Sequence, residues 1–250
     1  MLFELTFRSN ALGKDTEVNI LIPDGAEGAP FKTVWLLHGL HGDHTSYLRK
    51  TSIERYAAKH RVAVVMPDAD RSWYTNNAFG IRYFDYITEE LPELLFRTFT
   101  CLSQKREDNI VAGFSMGGYG ALKIALTLPH RYGTCISLSG ALDVTRKGRQ
   151  SYLQEWRSIF GFDLQSELEL EGSAHDIFAL ATKNKEAGSP FPNIYMWCGT
   201  DDSLVTINRD YSAHLSALGI AHCYEESEGD HSWKWWDLHT KNALDKMLGR

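Results

Sequence analysis

Cysteine is sparse and its pattern carries no motif. Cys101, Cys135, Cys198 and Cys223 lie far apart and form no CxxC pair. Cys135 and Cys198 sit inside apolar, strand-like runs, where buried free thiols are common. A reduced, cytoplasmic protein is the expectation. Long hydrophobic runs are missing too, and none approaches the length of a membrane span. The N-terminus, Met1-Leu2-Phe3-Glu4-Leu5-Thr6-Phe7, alternates and then meets Arg8, so it does not read as a signal peptide. Positive charge is in deficit, with 26 Lys and Arg against 32 Asp and Glu, a net charge of −6 and a pI near 5.9. The charges are scattered and form no basic stripe, so binding driven by nucleic-acid phosphates is not expected. There is no internal repeat and no low-complexity tract.

What remains is an ordinary globular composition, 43% hydrophobic and 23% charged, in 250 residues. That suits one α/β domain spanning 1–250, long enough to bury a substantial core. Leu2 to Phe7 and Val18 to Ile22 predict two strands joined by a polar turn. Thr33 to Leu37, Val62 to Met66, Ile110 to Ala112, Thr134 to Leu138, Asn193 to Cys198 and Ala221 to Glu225 predict further strands. Helical spacing fills the intervals at Ser52 to His60, Ile81 to Phe99, Gly118 to Leu128, Ser203 to Leu218 and Trp235 to Leu248. Pro92 is expected to bend the second of these helices or start a new turn. The segment 143–189 fits the alternation least and reads as a small inserted helical region. The expected architecture is therefore a mostly parallel central sheet covered by helices on both faces. Functional groups in such sheets gather beyond the carboxyl ends of the strands.

The stretch Gly113-Phe114-Ser115-Met116-Gly117 follows one strand and opens one helix. A strand, a tight turn centred on serine, then a helix is the nucleophile elbow of the α/β-hydrolase fold. Glycines on either side of the turn leave room where strand and helix cross. A serine hydroxyl needs a base, and the base needs a carboxylate. In this fold they follow in the order serine, acid, histidine. Of the later histidines, only His231 lies in a short polar loop between the last strand and the last helix. Asp202, in Cys198-Gly199-Thr200-Asp201-Asp202, closes a strand and is the expected acid; Asp201 is the alternative, or caps the following helix. Two backbone amides are needed to hold a developing oxyanion. Met116 follows the serine, and Leu40 follows the His38-Gly39 turn. Trp73, Tyr74 and Trp233 are candidates to wall a substrate pocket. His38, His41 and His44 with Asp43 offer a rival metal reading. Three-residue steps through a glycine-containing loop give no convergent geometry, so no metal site is expected.

Taken together, Leu37-His38-Gly39, Val65-Met66-Pro67, Trp73-Tyr74-Thr75, Gly113 to Ala121, Ser139-Gly140-Ala141, Cys198-Gly199-Thr200 with Asp202, and Gly229 to His231 resemble a tributyrin-esterase-type carboxylesterase of the esterase D group. The resemblance runs across nearly the whole chain and is weakest over 143–189. It implies hydrolysis of short-chain acyl esters without metal or organic cofactor. Relatives in that group also include feruloyl and acetyl esterases of decorated sugars and S-formylglutathione hydrolases, which act on a thioester. It further implies a small-molecule ester as partner, no nucleic acid, no membrane, and a homo-oligomer of two or four copies.

Overall fold

Apolar runs with no polar alternation become the strands of a sheet buried on both faces. The computed structural model describes residues 1–25, 30–145, 153–161 and 170–249. In chain order these form β1 (Leu2–Ser9), β2 (Lys14–Leu21), β3 (Thr33–Leu37), α1 (Ser46–Lys50), α2 (Ile53–His60) and β4 (Ala63–Pro67). There follow α3 (Tyr83–Asp85), a π-helical segment (Tyr86–Glu90), α4 (Leu91–Thr98), β5 (Asn109–Phe114), α5 (Met116–Thr127) and β6 (Thr134–Leu138). The chain continues through α6 (Leu153–Phe160), α7 (Ile177–Glu186), β7 (Asn193–Gly199), α8 (Val205–Ala217), β8 (His222–Ser227) and α9 (Trp233–Leu248).

The eight strands described pair in the order β1-β2-β4-β3-β5-β6-β7-β8. The pairings of β1 with β2 and of β2 with β4 are antiparallel, and every other pairing is parallel. Period-two geometry divides the core into two layers. Val34, Leu36, Val64 and Met66 face α1, α2 and α9. Trp35, Leu37, Ala63 and Val65 face α4, α5, α7 and α8. The α/β architecture expected from the sequence is the one observed. Strand ends move by one to four residues; β2, for instance, begins at Lys14 because the turn through Gly13 closes on the Ser9 carbonyl at 3.0 Å.

The helical stretch around Pro92 follows the second of the two expectations, with a new helix starting at the proline. The wider π turn over Tyr86–Glu90 precedes the proline, and α4 carries Pro92 in its first turn. Pro92 has no N–H to donate back to Thr88. The Thr88 carbonyl instead accepts from the Arg131 guanidinium at 2.5 Å. The inserted region contributes α6 and α7 to the helical layer around Tyr119, and Asp176 caps α7 by accepting from the Phe178 and Ala179 amides. Of the inserted region expected over 143–189, residues 146–152 and 162–169 lie outside the described residues. No described helix is long and apolar enough to cross a membrane.

Candidate active site

The strand order reverses between β3 and β5: β4 lies on one side of β3, and β5 on the other. Loops leaving the carboxyl ends of those two strands diverge and leave a crevice. Ser115 occupies one lip of it, and Gly39-Leu40 the other. Ser115 has φ 55° and ψ −119°, a sparsely populated conformation for a residue with a side chain. Its surroundings enforce this. Its amide donates to the Leu138 carbonyl at 2.9 Å, and its own carbonyl accepts from Gly118, Tyr119 and Ala141. A Cβ on Gly117 would lie 2.2 Å from the Leu37 carbonyl oxygen, and one on Gly113 would lie 2.4 Å from that of Gly117. Only two residues without side chains let β5, β3 and α5 approach this closely.

His231 Nε2 stands 3.0 Å from Ser115 Oγ. On the other side of the ring, Nδ1 stands 2.8 Å from Asp202 Oδ2. Asp202 is 2% exposed. Burial pushes its carboxyl up, but hydrogen bonds from His231 and from the Leu204 amide outweigh that and hold it below the usual carboxylate range. Its Oδ1 accepts the Leu204 N–H at 2.8 Å, just ahead of α8. Asp201 is exposed, and its amide donates to the Gly229 carbonyl at 2.9 Å. Thr200 likewise donates to the Ser227 carbonyl, so the loops carrying acid and base are bonded to each other.

Met116 is the first residue of α5, so its N–H has no intrahelical acceptor. The Leu40 loop is braced from behind. The Ala69 amide donates to His38 Nε2 at 2.9 Å, which leaves the ring proton on Nδ1, where it donates to the Gly39 carbonyl at 2.8 Å. The buried imidazole thus acts as a spacer. His44 lies 3.6 Å from Glu17, and His41 lines the cavity, so the three loop histidines do not converge.

A cavity of about 570 Å³ opens in front of Ser115 and His231. Trp73 and Trp233 line it. Tyr74 does not, which corrects the expectation that it walls the pocket. It is fully buried, with its ring over Gly120 and its hydroxyl donating to the His38 carbonyl at 2.8 Å. Trp73 and Tyr74 both adopt positive φ, 53° and 50°, and this double left-handed turn sends the two rings in different directions. Behind them, Lys123 of α5 is buried, and its Nζ donates to the Tyr74 carbonyl at 3.2 Å and to Thr75 Oγ1 at 2.5 Å. Burial pulls the Lys123 ammonium down to about 7.

Sequence reasoning missed several lining residues. Trp236 meets the His231 ring edge-on at 4.8 Å and stacks on Phe114 at 4.2 Å. Its three-residue helical spacing from Trp233 is the signal that would have found it. Arg49 and Lys50 also line the cavity, and nothing in their local sequence announces it.

Such a sheet, with a strained serine at the β5–α5 turn and a histidine and a buried aspartate in reach, defines the α/β-hydrolase class. Within that class the chain belongs to the esterase family whose model, described as "Putative esterase", matches residues 9–247. It is 34% identical to the acetyl esterase of Caldicellulosiruptor saccharolyticus over 264 aligned positions, covering 98% of this chain and 97% of that protein. An S-formylglutathione hydrolase structure from Staphylococcus aureus is 34% identical, with a TM-score of 0.88 and coverage of 100% of this chain and 99% of that one. The substrate-bound fluorophosphonate-binding serine hydrolase F of Staphylococcus aureus is 32% identical, with a TM-score of 0.90 over 100% and 99% of the two chains.

Proposed function

We infer that the protein is a serine carboxylesterase that hydrolyses short-chain acyl esters through an acyl-enzyme on Ser115. The observation that carries this is the chain of contacts Ser115 Oγ to His231 Nε2 at 3.0 Å and His231 Nδ1 to Asp202 Oδ2 at 2.8 Å. His231 takes the hydroxyl proton as Ser115 attacks the ester carbonyl. Negative charge then develops on the carbonyl oxygen, and the amides of Met116 and Leu40 hold it. Asp202, kept ionised, orients His231 and stabilises its cation. The ester C–O bond breaks, and the departing oxygen receives the proton from His231. Water repeats the sequence on the acyl-serine and frees the acid. Every step uses groups of this chain, water and the ester.

The cavity suits a short acyl chain between aromatic walls, and the sequence resemblance makes tributyrin and acetyl esters the first substrates to try. A second reading, hydrolysis of a formyl thioester, is favoured by the 34% identity to a protein of that name. All four cysteines are free, which fits a reducing, cytoplasmic setting. We take residues 1–250 as one domain, assembled as a dimer or tetramer; light scattering on the purified protein tests the copy number.

Replacing Ser115→Ala is expected to abolish p-nitrophenyl acetate hydrolysis and fluorophosphonate labelling, with the far-ultraviolet dichroism unchanged. Activity surviving in the folded variant would end the reading. Rates on an acetyl ester, tributyrin, a feruloyl ester and S-formylglutathione, measured side by side, rank the substrate classes.

A further inference from the structure

The cavity wall is one-sided in charge. Arg49 and Lys50 line it together with the nucleophile, and among the described residues no aspartate or glutamate lines it. This occurs in a chain of net charge −6. Arg49 forms one long ion pair with Asp43, Nη2 to Oδ2 at 3.9 Å, but its side chain is 61% exposed, and such a pair holds a guanidinium only weakly. Lys50 makes no ion pair among the described residues. Their position in the last turn of α1 complements that helix's dipole. A dipole accounts for cations there, but not for both of them bordering the cavity. A cleft with one sign of charge concentrates ligands of the other.

The geometry also says which end of the substrate meets them. Tyr47 of α1 packs edge-on against Trp233 at 5.5 Å. Trp233 packs against Trp236 at 5.4 Å, and Trp236 abuts the His231 ring at 4.8 Å. In the acyl-transfer reading, on which this inference rests, His231 hands its proton to the departing atom. The leaving group therefore exits on the α1 side, where Arg49 and Lys50 stand.

We propose that Arg49 and Lys50 select esters or thioesters whose leaving group carries an anionic substituent, a carboxylate or a phosphate. They bind the part of the substrate that departs and leave the acyl group to the aromatic walls. Arg49 offers a planar fork for paired oxygens, and Lys50 a mobile point charge.

The test uses acetate esters of phenols bearing one meta substituent: a neutral carboxamide, a carboxylate, a phosphate or a trimethylammonium group. For each, kcat/KM is divided by the rate constant for hydroxide-catalysed hydrolysis, which removes intrinsic reactivity. Wild-type enzyme is expected to favour the anionic esters over the amide by about tenfold at low salt, as for charge-assisted contacts, and to lose much of that preference in molar sodium chloride. The carboxylate and phosphate arms identify which anion fits better. In Arg49→Gln/Lys50→Gln the ratio should fall towards one, and in Arg49→Glu/Lys50→Glu it should turn in favour of the trimethylammonium ester. An anionic-to-neutral ratio near one in the wild type, or one indifferent to salt or to the glutamine pair, would overturn the proposal. The wild-type salt series decides the matter even where a double variant does not fold. Failure of the esterase reading looks different: no ester in the panel would be hydrolysed in a Ser115-dependent way.

Discussion

Asp202 divides its carboxylate between two tasks, and the division makes its role testable. Oδ2 meets His231 at 2.8 Å, while Oδ1 receives the Leu204 amide at the same distance. An asparagine keeps an acceptor for Leu204 but offers His231 an amide, so the fold survives and the imidazole loses its anionic partner. Asp202→Asn is expected to lower kcat on p-nitrophenyl acetate by about 10⁴-fold, as such replacements do in serine hydrolases, with the melting temperature little changed. A variant retaining a tenth of wild-type activity would remove Asp202 from the mechanism. Tyr74 teaches the opposite lesson. Its place beside Trp73 suggested a pocket wall, yet its hydroxyl steadies the His38 carbonyl, one residue behind Gly39-Leu40.

At the level of elements, the β5–α5 turn is held by close backbone packing. The 2.2 Å approach that a Cβ on Gly117 would make to the Leu37 oxygen is to main chain, which cannot rotate away. Gly117→Ala must therefore push α5 away from β3. The cost is on the order of 3 kcal/mol, as for other overpacked cores. Because Met116 and Ser115 ride on the same turn, fluorophosphonate labelling should slow as well. Urea unfolding and labelling kinetics measure the two effects; an alanine variant of wild-type stability would mean the turn has slack that the geometry denies. The π segment before Pro92 shows the same economy. A wider turn and one guanidinium satisfy a carbonyl that the proline leaves without its partner.

For the molecule as a whole, the buried Lys123 links stability to pH. Burial lowers its pKa from 10.5 to about 7 in the fold. Between those values the unfolded chain binds more protons than the native one, so this residue makes stability rise with pH over that window and adds no slope below it. Lys123→Met removes the titration. The stability of wild type relative to the variant should grow from neutral to alkaline pH, by up to about 1.4 kcal/mol per pH unit. Denaturant melts of both proteins across that range measure it, and parallel curves would refute the assignment. Much of this architecture was legible beforehand. Runs such as Val34 to Leu37 and Val62 to Met66 are apolar throughout because both sheet faces are covered, and breakers bound them. Chain order and loop position also named Ser115, Asp202 and His231, three residues the fold brings within hydrogen-bonding reach. Arg49 and Lys50 were not legible, since they border the cavity only through the way Tyr47 seats α1 against Phe114 and Trp233. The destination of the Tyr74 ring depends on φ angles that no pattern of residue types encodes.

The bonds between the Thr200-Asp201 loop and the Ser227-Gly229 loop have one more consequence. With Gly199 pressed against Gly229, where a Cβ would come within 2.1 Å of the carbonyl oxygen, acid and base ride on a single plank rather than two. A jolt to the outer edge of the sheet would tilt both together and leave their mutual aim intact. Misfire would then arise at the seam with the serine, and that seam is where wear should first be felt.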